Sequence, residues 1–329
     1  MANQSKPVQK RVIPLSGPPS RVGKSGRPGG NKPRAVVKKA TVADWIGGAR
    51  LRTLPLAISP VALGTASALL LSPNGWHWVR GLLALAVALG LQIGVNYAND
   101  YSDGIRGTDK HRVGPSRLTG SGAANPRTVL IVAFCFFGIA ALAGIALSIR
   151  SGYPWLILVG ALCIAAAYYY TGGKRPYGYY GLGEVMVFVF FGLIATAGTT
   201  FTQVGTVNVE SWAAGIAAGF FACAVLMVNN IRDLDQDRLA KKRTLAVLIG
   251  PLASKIVFAV FVLIPFVVLG FFSLLYPGAP YVYFTLLSAI PAVIITLTGT
   301  TAAEFILALK LTSFTALVFG VTLAMAIAF

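Results

Sequence analysis

Nine long apolar segments follow one another from Leu54 to the end of the chain, and they constrain its fold more than any other feature. Their approximate bounds are 54–72, 79–99, 128–149, 153–171, 182–203, 211–231, 251–275, 279–299 and 304–328. Each is long enough to cross about 30 Å of hydrocarbon as a helix. The runs are continuous, whereas the strands of a membrane barrel alternate. We therefore predict an all-α integral membrane domain of nine transmembrane helices over residues 41–329.

The composition argues against a soluble protein. Hydrophobic residues make up 56% of the chain and charged residues only 12%, whereas soluble domains carry about 25% charged residues. The three cysteines, Cys135, Cys163 and Cys223, each lie in an apolar segment and show neither metal-ligand nor disulfide spacing. We interpret them as small buried hydrophobic residues.

The positive charge of the chain indicates topology rather than nucleic-acid binding. The net charge is +18, but twelve of the 28 Lys and Arg residues precede Leu54, and most of the others lie in short polar loops. Positive loops stay in the cytoplasm. Residues 1–40 are rich in Pro, Gly, Ser and basic residues, so we predict a disordered cytoplasmic tail that contacts anionic lipid headgroups. An odd number of helices then places the C-terminus outside.

Six of the ten acidic residues form two clusters at the cytoplasmic ends of apolar helices. These acids are Asp100, Asp103 and Asp109 in the first cluster, and Asp233, Asp235 and Asp237 in the second. An aspartate in hydrocarbon costs about 2.5–3.5 kcal/mol. The clusters therefore indicate a wet cavity or bound cations, although solvated acids that cap helix ends are an alternative.

The spacing of these residues predicts two ligand rows. Asn229, Asp233 and Asp237 are four residues apart and share one face of a helix. Asn96 and Asp100 have the same spacing, and Asp103 follows three residues later. Hard oxygen ligands suit Mg²⁺, and two opposed rows of this kind can clamp a diphosphate between two metal ions. We predict that the metal ligands are Asn96, Asp100, Asp103, Asn229, Asp233 and Asp237. The four aspartates among them form the predicted catalytic centre.

Basic and aromatic residues accompany the acids in three polar loops on the same side of the membrane. Positive-inside topology or an interfacial aromatic belt would explain many of them, but a diphosphate also needs donors beside its metals. Beside Asn96 and Asn229, the predicted substrate-binding residues are Arg106, Lys110, Arg112, Arg117, Tyr170, Lys174, Arg232 and Lys242.

The two clusters, on the second and sixth predicted helices, resemble the paired signatures of the UbiA superfamily of intramembrane prenyltransferases. Three stretches, residues 99–118, 170–184 and 229–247, are similar to its MenA branch, which acts on 1,4-dihydroxy-2-naphthoate in menaquinone synthesis. In one departure from the superfamily pattern, Asp100 and Asp103 are three residues apart, not four, and position 104 is Gly.

The resemblance implies nine helices around a central cavity in a bacterial inner membrane, with the active site toward the cytoplasm. It also implies Mg²⁺-dependent transfer of a polyprenyl group from polyprenyl diphosphate to 1,4-dihydroxy-2-naphthoate, with loss of CO₂, to give a demethylmenaquinol. A UbiA relative with another acceptor, such as 4-hydroxybenzoate, is an alternative. A cation-coupled transporter is a second alternative. Transporters place such acids near the membrane midplane on broken helices, whereas the acids of this chain lie at helix ends.

Overall fold

A computed structural model describes residues 39–74, 77–111 and 117–329, without the side chains of residues 110 and 111. Almost all of the predicted tail, residues 1–40, lies outside the described residues, as does Arg112. The described residues form helices, turns and loops, and they include no strand.

The described residues contain twelve helices of five or more residues, numbered α1 to α12 in chain order. Their bounds are α1 Val42–Gly48, α2 Pro55–Leu71, α3 Trp78–Arg106, α4 Pro126–Ser151, α5 Leu156–Tyr169, α6 Gly183–Val204, α7 Val209–Arg232, α8 Leu234–Leu239, α9 Leu245–Ile249, α10 Pro251–Leu275, α11 Ala279–Thr298 and α12 Ala302–Ala328. Each of the nine predicted segments therefore contains one helix, with ends that differ by a few residues except at the C-terminal end of α3.

Seven of the described helices are long and apolar enough to cross a membrane: α3, α4, α6, α7, α10, α11 and α12. An eighth candidate is a bent pair, residues Val42–Thr53 and α2, which meet at an angle of 45° and are long and apolar enough only when taken together. Helix α5 is apolar but has only 14 residues, about 21 Å of helix. The prediction of an all-helical membrane protein is confirmed, whereas the ninth crossing stays a prediction.

Capping residues explain where several helices begin and end. Thr41 and Thr301 form capping boxes with Asp44 and Glu304, so that side-chain oxygens satisfy the first backbone N–H groups of α1 and α12. Helix α3 ends where Gly107 adopts a left-handed conformation with φ of 72°, which favours glycine.

Helix α3 extends seven residues beyond the predicted span 79–99. Its last two turns carry Asn99, Asp100, Ser102 and Asp103, all of which are buried. Asn99, Asp100 and Asp103 can remain inside because neighbouring loops supply hydrogen-bond donors for their side-chain oxygens. Two of the three first-cluster acids, Asp100 and Asp103, therefore lie on α3, whereas Asp109 follows its end.

Close packing between α6 and α7 fixes the position of the second cluster. A methyl group at Gly192 would lie 2.5 Å from the backbone oxygen of Gly215 and 2.6 Å from Cα of Gly219. Such contacts let the two helix backbones approach closely. Helix α7 is the most buried of the seven spans, and Phe221 on it contacts Phe266 and Phe319 edge to face. Its C-terminal end carries Asn229.

Candidate active site

A cavity of about 370 Å³ lies between the helices, polar at one end and apolar along its body. The polar end is lined by Asn96, Asn99, Asp103, Asp109, Arg117, Tyr170, Tyr177, Tyr179, Asn229, Asn230, Arg232, Asp233, Asp237 and Lys242. The apolar body is lined by residues that include Val61, Ala84, Val87, Leu91, Leu147, Val159, Phe190, Phe191, Ile194 and Gly198. The cavity thus suits a molecule with a charged head and an apolar chain.

Most of the predicted site residues line this cavity. Those that do are Asn96, Asp103, Arg117, Tyr170, Asn229, Arg232, Asp233, Asp237 and Lys242. Three do not: Asp100, Arg106 and Lys174. Lys174 is exposed, and Arg106 donates hydrogen bonds to the backbone oxygens of Thr171 and Gly173. Arg112 and the side chain of Lys110 lie outside the described part of the chain.

Asp103 is the most heavily paired acid of the cavity. One of its oxygens accepts from Arg117 Nη1 at 2.7 Å. The other accepts from the Tyr179 hydroxyl at 2.6 Å and lies 2.9 Å from Lys242 Nζ. The three partners come from the loops after α3, α5 and α8, so a single carboxylate joins all three polar loops that the sequence singles out.

Lys242 links the two clusters. Its ammonium lies 4.0 Å from an oxygen of Asp237, as well as close to Asp103. It also sits 4.7 Å from the centre of the Tyr179 ring, a cation–π contact. A left-handed backbone at Lys241, with φ of 58°, reverses the chain after α8 and directs Lys242 back to the cavity.

The three residues of the second row, Asn229, Asp233 and Asp237, lie on the same side, although helix α7 ends within the row. Helix α7 ends at Arg232, and Asp233 has φ of −97° and ψ of 9°. Four-residue backbone hydrogen bonds nevertheless continue, from Asp233 N–H to the Asn229 oxygen at 3.1 Å and from Asp237 N–H to the Asp233 oxygen at 2.8 Å. All three side chains therefore reach the cavity, while Asp235 is exposed, as its spacing predicts.

The first row differs from its predicted arrangement. Both oxygens of Asp100 accept backbone N–H groups, from Leu118 at 2.9 Å and from Thr119 at 2.8 Å, and Asp100 does not line the cavity. Asn99 does, four residues before Asp103, and its Oδ1 accepts from Thr171 at 2.6 Å. The pair therefore repeats the spacing of the second row, a signal that was present in the sequence.

Asn96 lies deeper on the same helix. It lines the cavity, but its Nδ2 donates to the backbone oxygen of Ala49 at 3.0 Å. That contact holds the C-terminal end of α1 against α3, and it leaves Oδ1 as the atom of the Asn96 amide suited to a cation.

The electrostatics of the polar end favour both a cation and an anion. Burial, together with the nearby carboxylates of Asp233 and Asp103, raises the pKa of Asp237 to about 7 against the opposing effect of Lys242. Burial opposes the charge of Arg117, but Asp103 and Asp109 outweigh it and raise the pKa of Arg117 above its ordinary value. Lys242 therefore compensates the charge of Asp237 only in part, whereas Arg117 stays charged.

Two buried guanidinium groups retain open donors. Arg232 holds Asp233 through two hydrogen bonds, of 2.8 and 2.6 Å. Its Nη1, and Nε of Arg117, have no hydrogen-bond partner among the described residues. Because both residues line the cavity, these donors suit a bound anion.

The acids do not form a ready-made metal cluster. Within the described ranges, no three Asp, Glu, His or Cys side chains are grouped closely enough to hold a metal ion by themselves. The cavity instead offers scattered oxygen ligands and no His, which suits a hard cation that completes its shell with water and substrate oxygens.

An apolar helical bundle with a cavity of this kind defines a membrane enzyme that acts on an amphiphilic anion. The sequence matches the UbiA prenyltransferase family over residues 57–313. The chain belongs to this family and is an enzyme that transfers prenyl groups, as the resemblance of its polar loops predicts.

Characterised relatives share much of the sequence. The 1,4-dihydroxy-2-naphthoate octaprenyltransferase of Mycobacterium tuberculosis is 53% identical over 219 residues, which are 67% of this chain and 74% of the relative. The 1,4-dihydroxy-2-naphthoate octaprenyltransferase of Escherichia coli is 36% identical over 244 residues, 70% of this chain and 76% of the relative.

A solved structure has the same fold. A UbiA homologue from Archaeoglobus fulgidus, bound to GPP and Mg²⁺, superimposes with a TM-score of 0.60 and 14% sequence identity. The match covers 86% of this chain and 99% of that chain. At this identity the likeness establishes the fold alone.

Proposed function

We propose that this protein transfers a polyprenyl group from polyprenyl diphosphate to 1,4-dihydroxy-2-naphthoate in menaquinone synthesis. The observation that carries the proposal is the cavity, which joins carboxylates and open guanidinium donors at one end to an apolar body. The identity of the acceptor is supported by the relatives of M. tuberculosis and E. coli, whose names specify that substrate.

Arg117, Arg232 and Lys242 would bind the diphosphate. All three line the polar end, and the two arginines have open donors there. Arginine forks match phosphate oxygens, and a buried charge pairs more strongly than an exposed one. Their partners Asp103 and Asp233 would keep each cation oriented before the substrate arrives.

The ligand set fits Mg²⁺. Asp233, Asp237 and Asn229 would hold one ion, and Asp103 with Asn99 would hold part of the shell of another. The Mg²⁺ in the solved homologue supports this assignment. When bound, Mg²⁺ neutralises charge on the leaving diphosphate oxygens. Asp100 would act indirectly, because its oxygens already hold the loop that carries Arg117.

The chemistry follows from the two halves of the cavity. The bond between the prenyl carbon and the diphosphate oxygen breaks, and its electrons leave with the diphosphate held by Arg117, Arg232 and Lys242. The allylic cation is kept from water by apolar side chains such as Phe190 and Phe191. The naphthoate ring attacks the cation, and CO₂ departs and returns its bonding electrons to the ring.

The protein would lie in a bacterial cell membrane with nine crossings, its N-terminus in the cytoplasm and its C-terminus outside. The basic loops support that orientation, and anionic lipids would neighbour the basic tail. Helix α5 would complete the count, since the predicted span 153–171 contains it.

The test is an assay on membranes that contain the protein. With polyprenyl diphosphate, Mg²⁺ and 1,4-dihydroxy-2-naphthoate, we expect the decarboxylated prenyl product, and chelation of Mg²⁺ should abolish its formation. Product from 4-hydroxybenzoate, with none from the naphthoate, would overturn the proposed acceptor and retain prenyl transfer. Transport of a cation without any prenylated product would overturn both.

A further inference from the structure

Asn230 lines the cavity next to the second row, and a buried carboxylate orients its amide. Asn230 Nδ2 donates to Glu184 Oε1 at 3.0 Å. Glu184 is only 4% exposed and does not line the cavity itself. Since the amide nitrogen is turned toward Glu184, Asn230 Oδ1 points away from it, and no described residue donates to that oxygen.

The position of Glu184 is fixed by close packing at the start of α6. Cys223 on α7 donates through Sγ to the backbone oxygen of Glu184 at 3.1 Å. A methyl group at Gly183 would lie 3.2 Å from the Leu226 side chain. Cys223 and Asn230 are seven residues apart and thus share one face of α7. The contact between α6 and α7 therefore holds both the Glu184 carboxylate and the Asn230 amide that this carboxylate orients.

The chemistry of the two substrates determines what Asn230 can bind. A carbonyl oxygen only accepts hydrogen bonds, and an ionised diphosphate offers only acceptors. The prenyl chain has no polar groups. The hydroxyl groups of the aromatic acceptor are the only donors that the substrates supply.

We propose that Asn230 accepts a hydrogen bond from a phenolic hydroxyl of the aromatic acceptor, and that Glu184 is the positioning residue that orients Asn230. The inference rests on the proposed function for the presence of a hydroxylated aromatic acceptor. It assigns acceptor binding to the α6–α7 side of the polar end, and diphosphate binding to Arg117, Arg232 and Lys242. Asn230 and Glu184 thereby become specificity-determining residues outside the two predicted ligand rows.

Separate KM values test the assignment. Asn230→Ala should raise KM for 1,4-dihydroxy-2-naphthoate about tenfold, because one hydrogen bond is lost. KM for polyprenyl diphosphate and the Mg²⁺ concentration for half-maximal rate should remain within about twofold. A comparable shift in Mg²⁺ dependence would mean that Asn230 serves the metal and would overturn the proposal.

The role of Glu184 is tested by a conservative and a disruptive variant. Glu184→Gln keeps an oxygen that can accept from Asn230 and should leave KM for the acceptor nearly unchanged. Glu184→Leu removes that oxygen and should match Asn230→Ala, and the double variant should be no worse than either single one, since coupled residues are not additive. Additive effects would refute the positioning role. Measuring the amount of each variant that is inserted in the membrane corrects each rate for differences in folding.

Monohydroxy acceptor analogues test the hydroxyl directly. Inhibition by 1-hydroxy-2-naphthoate and by 4-hydroxy-2-naphthoate is compared between the wild type and Asn230→Ala. Inhibition by the analogue that retains the contacted hydroxyl should weaken about tenfold, and inhibition by the other should stay the same. Equal weakening of both would overturn the contact. If the wild type prenylates only 4-hydroxybenzoate, the proposed acceptor fails, while KM for 4-hydroxybenzoate in Asn230→Ala still tests the inference.

Discussion

Lys242, in the loop after α8, lies 2.9 Å from the carboxylate of Asp103 on α3. The ion pair joins residues that are far apart in the sequence and belong to different acidic clusters. Because Lys242 also approaches Asp237, one ammonium neutralises part of both rows in the absence of substrate. The two clusters therefore act as one electrostatic unit.

Replacing Lys242 should impair diphosphate binding. Lys242→Met removes a largely enclosed cation and should lower kcat/KM about a hundredfold, chiefly through KM for polyprenyl diphosphate, because charge pairs shielded from water contribute several kcal/mol. The adjacent, exposed Lys241 provides the control, and Lys241→Met should change kcat/KM less than twofold. An unchanged KM for the diphosphate in Lys242→Met would contradict this role.

The second row offers a matched pair of aspartates. Asp233 lines the cavity, whereas the side chain of Asp235 is 82% exposed. Asp233→Asn should lower kcat at least about a hundredfold and raise the Mg²⁺ concentration needed for half-maximal rate, because it removes an anionic oxygen from the proposed site. Asp235→Asn should leave both quantities near their original values. Similar losses in the two variants would indicate a general effect of charge.

Asp100 should behave as a positioning residue. Asp100→Asn keeps one acceptor for the N–H groups of Leu118 and Thr119 but loses the charge and should lower the free energy of unfolding by about 1–3 kcal/mol. The loop that carries Arg117 should loosen, so kcat should fall while the Mg²⁺ dependence stays the same. Thermal unfolding in detergent and a Mg²⁺ titration measure the two effects. A Mg²⁺ requirement raised about tenfold would instead support direct ligation.

The fold was predictable because each membrane helix must satisfy its own backbone in hydrocarbon. Long apolar runs therefore translate into helices, and the predicted span 251–275 coincides with α10. The C-terminal end of α3 was not predictable in this way. Its final polar turns remain helical because partners from distant loops bind Asp100 and Asp103, and those contacts leave no local signal.

Spacing alone predicted the second row, whereas in the first cluster it allowed two different faces of the helix. Asn229, Asp233 and Asp237 all reach the cavity, as one helical face requires. On α3, Asn96, Asp100 and Asp103 share one face of the helix by their spacing, but Asn99 and Asp103 share another. Packing of α3 and the loop at residues 117–119 selects the second face. Tyr179 was missed for the same reason, since only the fold brings its hydroxyl to Asp103.

Gly198 provides a test of where the prenyl chain lies. It lines the apolar body of the cavity, and a methyl group built there meets no atom within 4 Å. Gly198→Leu should therefore fold normally, with a small gain from the loss of a helical glycine, while its side chain occupies space needed by a long chain. We expect the rate with a long polyprenyl diphosphate to fall about tenfold and the rate with geranyl diphosphate to change little.

Gly138 on α4 supplies the control for that variant. It also has no atom within 4 Å of a methyl group built on it, but it is exposed and does not line the cavity. Gly138→Leu should change neither rate, because an apolar side chain on a lipid-facing surface meets only hydrocarbon. Competition between short and long donors in one assay measures the ratio directly. If Gly198→Leu leaves that ratio unchanged, the prenyl chain follows another path out of the polar end, and the apolar body of the cavity has no part in donor selection.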